Sequence, residues 1–216
     1  ELEETLLAKG KAAALETVRG MIHEPGTVAY VRQQEPAGLG HAVWCARHLI
    51  HDEPVAVLLA DDLILGPSCL AEMVASYQGG NMVAVMDVPK SETGSYGIIT
   101  PGADHGQLVE VSELVEKPDP ANAPSNIGVV GRYIIESGVF AQLGTQDRGA
   151  GNEVQLTDAL VRQIGKVPFH GFRFSGERFD CGSKIGFLQA NIAFAMSRDD
   201  LAEPLASWIK NRMALS

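Results

Sequence analysis

The run PVAVLLADDLIL, residues 54–65, is apolar up to two adjacent carboxylates, Asp61 and Asp62, and then apolar again. A near-continuous apolar strand of this kind is what a fully buried parallel strand looks like where its carboxyl end opens on a ligand crevice. Two carboxylates at such a tip are costly without a compensating cation. Mg²⁺ suits them, because it takes carboxylate and phosphate oxygens together and keeps several waters. The competing reading is that one Asp caps the following loop, and the strand context alone leaves the two readings level.

Other segments carry weaker signals of the same kind. QQEPAGLGHA places Gly38 and Gly40 just before a helix that begins near His41. Glycine lets a backbone approach a ligand closely, and a helix start offers free N–H groups, although an ordinary loop reads the same way. SELVEKPD sets Glu116 beside Lys117 at a strand end. The carboxylate suits sugar hydroxyls and the ammonium suits a phosphate, against the default of a solvated surface pair. In GAGNEVQLTDA, the residues Glu153, Gln155, Thr157 and Asp158 either face a ligand or form the capped start of a helix. In RFDCGSKIGF, Asp180 and Lys184 flank a glycine at a strand-to-helix turn, as a further carboxylate and cation for a site or as caps.

The elements that must position these residues alternate between strand and helix. A first amphipathic helix (ELEETLLAKGKAAALETVRGM) precedes a short strand, TVAYVRQ, then a helix over HAVWCARHLI and the strand PVAVLLA. A helix over CLAEMVASY and the strand GGNMVAVMDV follow, and the alternation predicts an α/β fold with a mostly parallel sheet. The segments SYGIIT, LVEVSELVEKP and VVGRYIIES, with Pro118, Pro120 and Pro124 between them, read as a β-rich insertion over the sheet's carboxyl edge. NEVQLTDALVRQIG reads as a helix, VPFHGFRF as a strand, and KIGFLQANIAFAMSR and LAEPLASWIKNRM as closing helices. The connection in MVASYQGGNM is short for a helix-to-strand turn.

Composition narrows the chemistry. A formal net charge of -10 over 216 residues argues against a surface built for nucleic acid or an anionic membrane, so a bound phosphate must be met by a few placed cations, amides or a metal. Cys45, Cys69 and Cys181 have no zinc spacing, and their odd number suggests free thiols in a reducing, cytoplasmic setting. No apolar stretch approaches the roughly 20 residues that span a bilayer. The histidines show no metal spacing, and no nucleophile elbow or basic–aromatic interleaving appears, which leaves no case for covalent catalysis or nucleic-acid binding.

In order and spacing, QEPAGLGHAV, VAVLLADDLIL, SYGII, LVEKP, PSNIGVVGRYI, GAGNEVQLTDA and FDCGSKIGFLQA together resemble the bacterial UTP:glucose-1-phosphate uridylyltransferases, also called UDP-glucose pyrophosphorylases. The resemblance covers nearly the whole chain. It implies a Rossmann-like mixed α/β domain over residues 1–216, and the Mg²⁺-assisted reaction of UTP with glucose 1-phosphate to give UDP-glucose and pyrophosphate. By position it implies that Gln33 and Gly38 contact the uracil, with Asp62 near the ribose. It implies that Asp61 holds the metal with Asp180, and that Gly97, Glu116, Gly131 and Glu153 line the sugar pocket. Lys117 is implied to meet the phosphate of glucose 1-phosphate, and Lys184 to close the site from the C-terminal side. Family members assemble as dimers or tetramers, which implies a homo-oligomer.

The departures are specific. The family begins with a glycine-rich GxGTRxxPxTK segment that wraps the triphosphate, and this sequence starts roughly 70 residues into that pattern. The expectation is therefore that it is part of a longer protein and does not transfer nucleotides by itself. Ala60 stands where the family has Pro, and Asn152 where it has Gly. Three alternatives remain: a thymidylyltransferase on the same skeleton; a metal-dependent glycosyltransferase, which lacks VEKP, GRYI and EVQLTDA; and a non-catalytic sugar-nucleotide-binding module.

Overall fold

The computed structural model describes residues 1–145, 149 and 152–214. The chain divides into two compact units, residues 1–34 and 35–216. The first holds α1 (Leu2–Ala8) and α2 (Ala12–Gly20), tied by an Arg19–Glu3 ion pair at 2.9 Å. The expected strand TVAYVRQ does not form: Thr27–Gln33 are irregular and mostly exposed. A strand is stable only when a neighbour takes its N–H and C=O groups, and this unit contains no other strand among the described residues.

The second unit is built on a six-stranded sheet in the order β1-β6-β3-β7-β5-β4. Its strands are β1 (Val55–Leu58), β3 (Asn81–Asp87), β4 (Gly97–His105), β5 (Leu108–Glu116), β6 (Ile127–Ile135) and β7 (Phe169–Arg173). The short strands β2 (Asp62–Leu65) and β8 (Glu177–Asp180) make a separate antiparallel pair. Among the strands of the described residues only β3 and β7 pair in parallel and the others pair antiparallel, so the expected mostly parallel sheet is corrected to a mixed, mostly antiparallel one. The segments expected to form a β-rich insertion are β4, β5 and β6, hydrogen-bonded members of this same sheet.

The reason for that difference is visible in β3. Val83 and Val85 enter one core with Val139 and Leu143 of α5 (Gly138–Thr145) and with Leu156 and Leu160 of α6 (Leu156–Val161). Met82 and Ala84 enter a second core with Cys69 and Met73 of α4 (Cys69–Ser76) and with Phe172. A strand covered on both faces is apolar throughout whichever way its neighbours run, so the apolar run reported burial and not direction. The run before Asp61 is also not fully buried, since β1 borders the sheet and alternates half-buried and exposed residues.

Helix α3 (Leu39–Cys45) follows the glycine turn, while α7 (Lys184–Met196) and α8 (Ala202–Met213) close the chain as anticipated. No helix among the described residues is long and apolar enough to cross a membrane. The short connection after α4 works because Gly79 and Gly80 both adopt positive φ, +95° and +80°. The Glu136 carboxylate locks this turn, accepting from the Gly80 amide at 2.8 Å and lying 2.9 Å from the Tyr77 hydroxyl. Burial and that carboxylate push the Tyr77 hydroxyl above its usual range, so it stays a donor.

A side chain on Gly80 would run into the Pro168 carbonyl, whereas nothing lies within 4 Å of the position a Cβ would take on Gly106, which also has positive φ. Gly106→Ala should therefore cost only the backbone term, about 1 kcal/mol, and Gly80→Ala a further 1–3 kcal/mol or so. Urea unfolding of the two variants measures the difference.

Candidate active site

The site begins at a gap in hydrogen bonding. One edge of β6 is covered by β3; along the other, β1 pairs with Arg132–Ile135 and β4 touches at Gly128. Between them Gly131 has no strand opposite its N–H among the described residues, and the Asp62 carboxylate accepts that N–H instead at 2.7 Å. The chain reaches this point by leaving the sheet after β1: Leu59 N–H still bonds the Gly131 carbonyl at 2.9 Å, and the corner Leu59–Asp62 then leads into β2. Arg132 fastens the corner by donating to the carbonyls of Leu59 (3.0 Å), Gly131 (2.8 Å) and Asp62. The register between β3 and β6 slips between Val83 and Val85, which puts a bulge in β6 beside this gap. A cavity of about 340 Å³ opens there, a size suited to a small ligand.

Asp62 is 5% exposed, and its second oxygen pairs with Arg178, which grips it through both Nε and Nη2. In the β2–β8 ladder Asp62 faces Asp180 and Ile64 faces Arg178, so the guanidinium reaches diagonally back to the carboxylate. Its remaining nitrogen, Nη1, donates to the Tyr96 hydroxyl at 3.1 Å. Asp62, expected beside the ribose, does line the cavity, with both oxygens already engaged.

Asp61 takes the other direction. It is exposed, and its carbonyl accepts the Cys181 N–H at 2.7 Å, which continues the β2–β8 ladder by one residue. A Cβ placed on Gly182 would lie 3.2 Å from Asp61 Oδ2 and 3.0 Å from Asp180 Oδ1. Both carboxylates therefore lie beside Gly182, whose N–H donates to Asp180 Oδ1 at 3.0 Å, and a side chain at 182 would crowd them. As hard oxygen donors the two carboxylates suit Mg²⁺, which completes its shell with phosphate oxygens and water. Among the described residues no three His, Cys, Asp or Glu gather into an all-protein cage.

Glu116, at the end of β5, also lines the cavity. Its Oε2 accepts from the Thr157 hydroxyl at 2.7 Å, and its Oε1 lies 3.8 Å from Lys117 Nζ. Gly97 faces Glu116 across the β4–β5 ladder, and a Cβ there would come within 3.2 Å of Oε2. Lys117 has φ +46°, one of two non-glycine residues in the left-handed region among those described, and its N–H bonds the Tyr96 carbonyl at 2.9 Å. Such backbone persists only where its surroundings hold it. The other is Asn152, φ +61°, which stands in for the expected glycine in a conformation that Asn tolerates. Tyr133 also lines the cavity; burial first, then the carboxylates of Glu116, Asp62 and Asp61, push its hydroxyl above the usual range, so it remains protonated.

Of the residues anticipated from sequence, Asp61, Asp62, Gly97, Glu116, Lys117, Gly131, Glu153, Gln155, Thr157 and Asp180 line this one cavity. Gly38 and Lys184 lie outside the lining. Gly38, φ +99°, packs against Glu153 and Val154, where a Cβ would sit 2.7 Å from Glu153 Cβ, so its bareness serves a contact within the protein. Lys184 is exposed at the first turn of α7, behind the cap in which Ser183 accepts the Gly186 N–H. Gln33 belongs to the first unit. Ala150 and Gly151 of the GAGNE loop lie outside the described residues. Arg178, Tyr96 and Tyr133 were missed: they sit inside ordinary strand-like text, and only the RFD spacing, a cation two residues from Asp180, offered a signal.

Removing one partner of a buried, hydrogen-bonded ion pair strands the other charge. Arg178→Met should cost about 3–5 kcal/mol of stability, and Asp62→Asn/Arg178→Met should recover part of it. Chemical unfolding of the parent, both single variants and the double variant reads out this coupling.

Comparison with known proteins agrees with the geometry. A family model described as nucleotidyl transferase matches residues 6–197. A UTP–glucose-1-phosphate uridylyltransferase of Komagataeibacter xylinus is 50% identical over 188 residues, 86% of this chain and 66% of that protein. A solved UDP-glucose pyrophosphorylase complexed with UDP-glucose superposes with a TM-score of 0.81 at 38% identity, over 88% of this chain and 74% of that one. A UTP-bound UGPase from Acinetobacter baumannii gives a TM-score of 0.85 at 32% identity, over 96% of this chain and 74% of that one. The chain thus spans 66–74% of the length of these proteins. The motif order, the cavity those motifs build and these matches agree: the chain belongs to the nucleotidyl transferase family, among the UTP–glucose-1-phosphate uridylyltransferases.

Proposed function

We propose that residues 1–216 are one nucleotidyltransferase domain of a cytoplasmic protein that makes UDP-glucose and pyrophosphate from UTP and glucose 1-phosphate. The observation that carries the reading is one cavity lined by the carboxylates of Asp61 and Asp180 together with Glu116 and Lys117. Relatives named for this reaction, and solved neighbours holding UTP or UDP-glucose, support it. Asp61 and Asp180 would hold Mg²⁺, which when bound supplies charge neutralisation at the nucleotide phosphates. The family pattern assigns Gln33 and Gly38 to the uracil, although neither is in the cavity lining. Asp62 serves the nucleotide through the wall it holds. Gly97, Gly131 and Glu153 border the sugar, while Glu116 accepts from its hydroxyls.

In this reading a phosphate oxygen of glucose 1-phosphate attacks the α-phosphorus of UTP in line. The new P–O bond forms as the bond to the bridging oxygen breaks, and pyrophosphate leaves with that electron pair. The attacking oxygen is already anionic, so no strong general base is required. The chain's residues align two polyanions that repel each other, with Lys117 at the sugar phosphate and Lys184 approaching from α7. Exposed apolar side chains on α7 and α8, including Phe187, Leu188 and Trp208, favour a homo-oligomer.

The test is pyrophosphate release and UDP-glucose formation by the complete natural protein with UTP, glucose 1-phosphate and Mg²⁺. Asp61→Asn should lower kcat on the order of 100-fold or more with the fold retained, and chelation of divalent ions should abolish turnover. Undiminished turnover by the variant would refute the assignment. Preference for dTTP would make the protein a thymidylyltransferase, and release of UDP a glycosyltransferase.

A further inference from the structure

We propose that Thr157 is a positioning residue for the sugar phosphate: its hydroxyl fixes one oxygen of Glu116, so that the other oxygen keeps no more than a loose ion pair with the Lys117 ammonium and both stay available to the ligand. This rests on the reading of the site given above and adds to it a residue with a defined task. The Thr157 hydroxyl donates to Glu116 Oε2 at 2.7 Å, a short bond to a charged acceptor. Gly97 leaves the room for Oε2 to lie there. Glu116 Oε1 stands 3.8 Å from Lys117 Nζ, farther than a hydrogen-bonded pair.

Without the Thr157 bond, Glu116 is free to rotate toward Lys117 and close on it. The carboxylate and ammonium would then neutralise each other, and both would be withdrawn from the hydroxyls and phosphate they serve. Lys117 is poorly placed to retreat, because its left-handed backbone is pinned by the bond from its N–H to the Tyr96 carbonyl. Thr157 suits the task because two heavy atoms on Cβ restrict χ1, so its hydroxyl is aimed with little loss of freedom. It stands at the second position of α6, directly after Leu156, which is buried in the core, so its Cα is anchored. The bond also spans from α6 to the end of β5, joining the two segments that bring Glu153 and Glu116 to the cavity.

The test compares Thr157→Val, which keeps shape and removes the hydroxyl, with Thr157→Ser, which keeps the hydroxyl, in the full chain. Loss of a hydrogen bond to a charged group predicts that the valine variant raises KM for glucose 1-phosphate about 10-fold or more. KM for UTP and Tm should stay close to those of the parent, and the serine variant should restore most of the loss. Isothermal titration with glucose 1-phosphate, and separately with UTP, should show the same split. Equal weakening toward both ligands, a loss that follows Tm and is not restored by serine, or no change at all would overturn the role of Thr157. A parent protein that makes no UDP-glucose and binds no glucose 1-phosphate would instead overturn the reading of the site, and this inference with it.

Discussion

The hydrogen bond from the Gly131 amide to the Asp62 carboxylate stands where a strand-to-strand bond would otherwise be. The cavity depends on that exchange. A neighbouring strand laid continuously along β6 would fill the space between β4 and β1, whereas a side chain satisfies the same amide and leaves the space open. The exchange buries a charge, which a protein interior tolerates only with compensation. Arg178 supplies it through two nitrogens and spends its third on Tyr96, so the compensating cation also fastens the next piece of wall. Arg132 does the same for the carbonyls of the corner. The site is thus held by backbone and buried groups before any ligand arrives, the condition under which electrostatic stabilisation needs no rearrangement during reaction.

Around that frame the charges are divided by task. Asp62 and Arg178 are consumed by each other, so neither adds net charge to the cavity. Asp61 and Asp180 lie beside Gly182, with Asp180 Oδ1 accepting its N–H, Glu116 is half used by Thr157, and the Lys117 ammonium is mostly exposed. An acidic chain can therefore handle anionic ligands without a basic surface, because its cations are few and local. Tyr133, held protonated among three carboxylates, adds a neutral donor where another cation would be drawn into an ion pair.

Much of the site was legible in the text because Asp61, Glu116, Lys117, Glu153 and Asp180 all stand at or just beyond the ends of elements, where apolar pattern gives way to polar residues. Their order along the chain carried more than any one of them. Strand direction was not legible: an apolar run such as that of β3 reports cover on two faces, which antiparallel neighbours provide as well as parallel ones. The separate fates of Asp61 and Asp62 were also hidden. Adjacent residues entering a strand point to opposite sides, so one carboxylate meets the cavity rim and the other is buried, and the dipeptide alone does not say which. Arg178 escaped notice because its role depends on a diagonal contact across a ladder between segments more than 100 residues apart. The segment TVAYVRQ shows the reverse failure, where strand-like composition finds no strand to pair with in its own unit.

Gly131 has a consequence for how the sequence can vary. Any side chain there would overlap the Asp62 carboxylate, and Asp62 in turn needs the guanidinium of Arg178. Three positions spread along more than half the chain therefore form one unit of inheritance. A lineage that loses the acid at 62 is released from keeping a cation at 178, although Leu59, whose Cβ lies 2.7 Å from where a Cβ on residue 131 would sit, still holds that position bare; one that retains the acid must carry the other two with it.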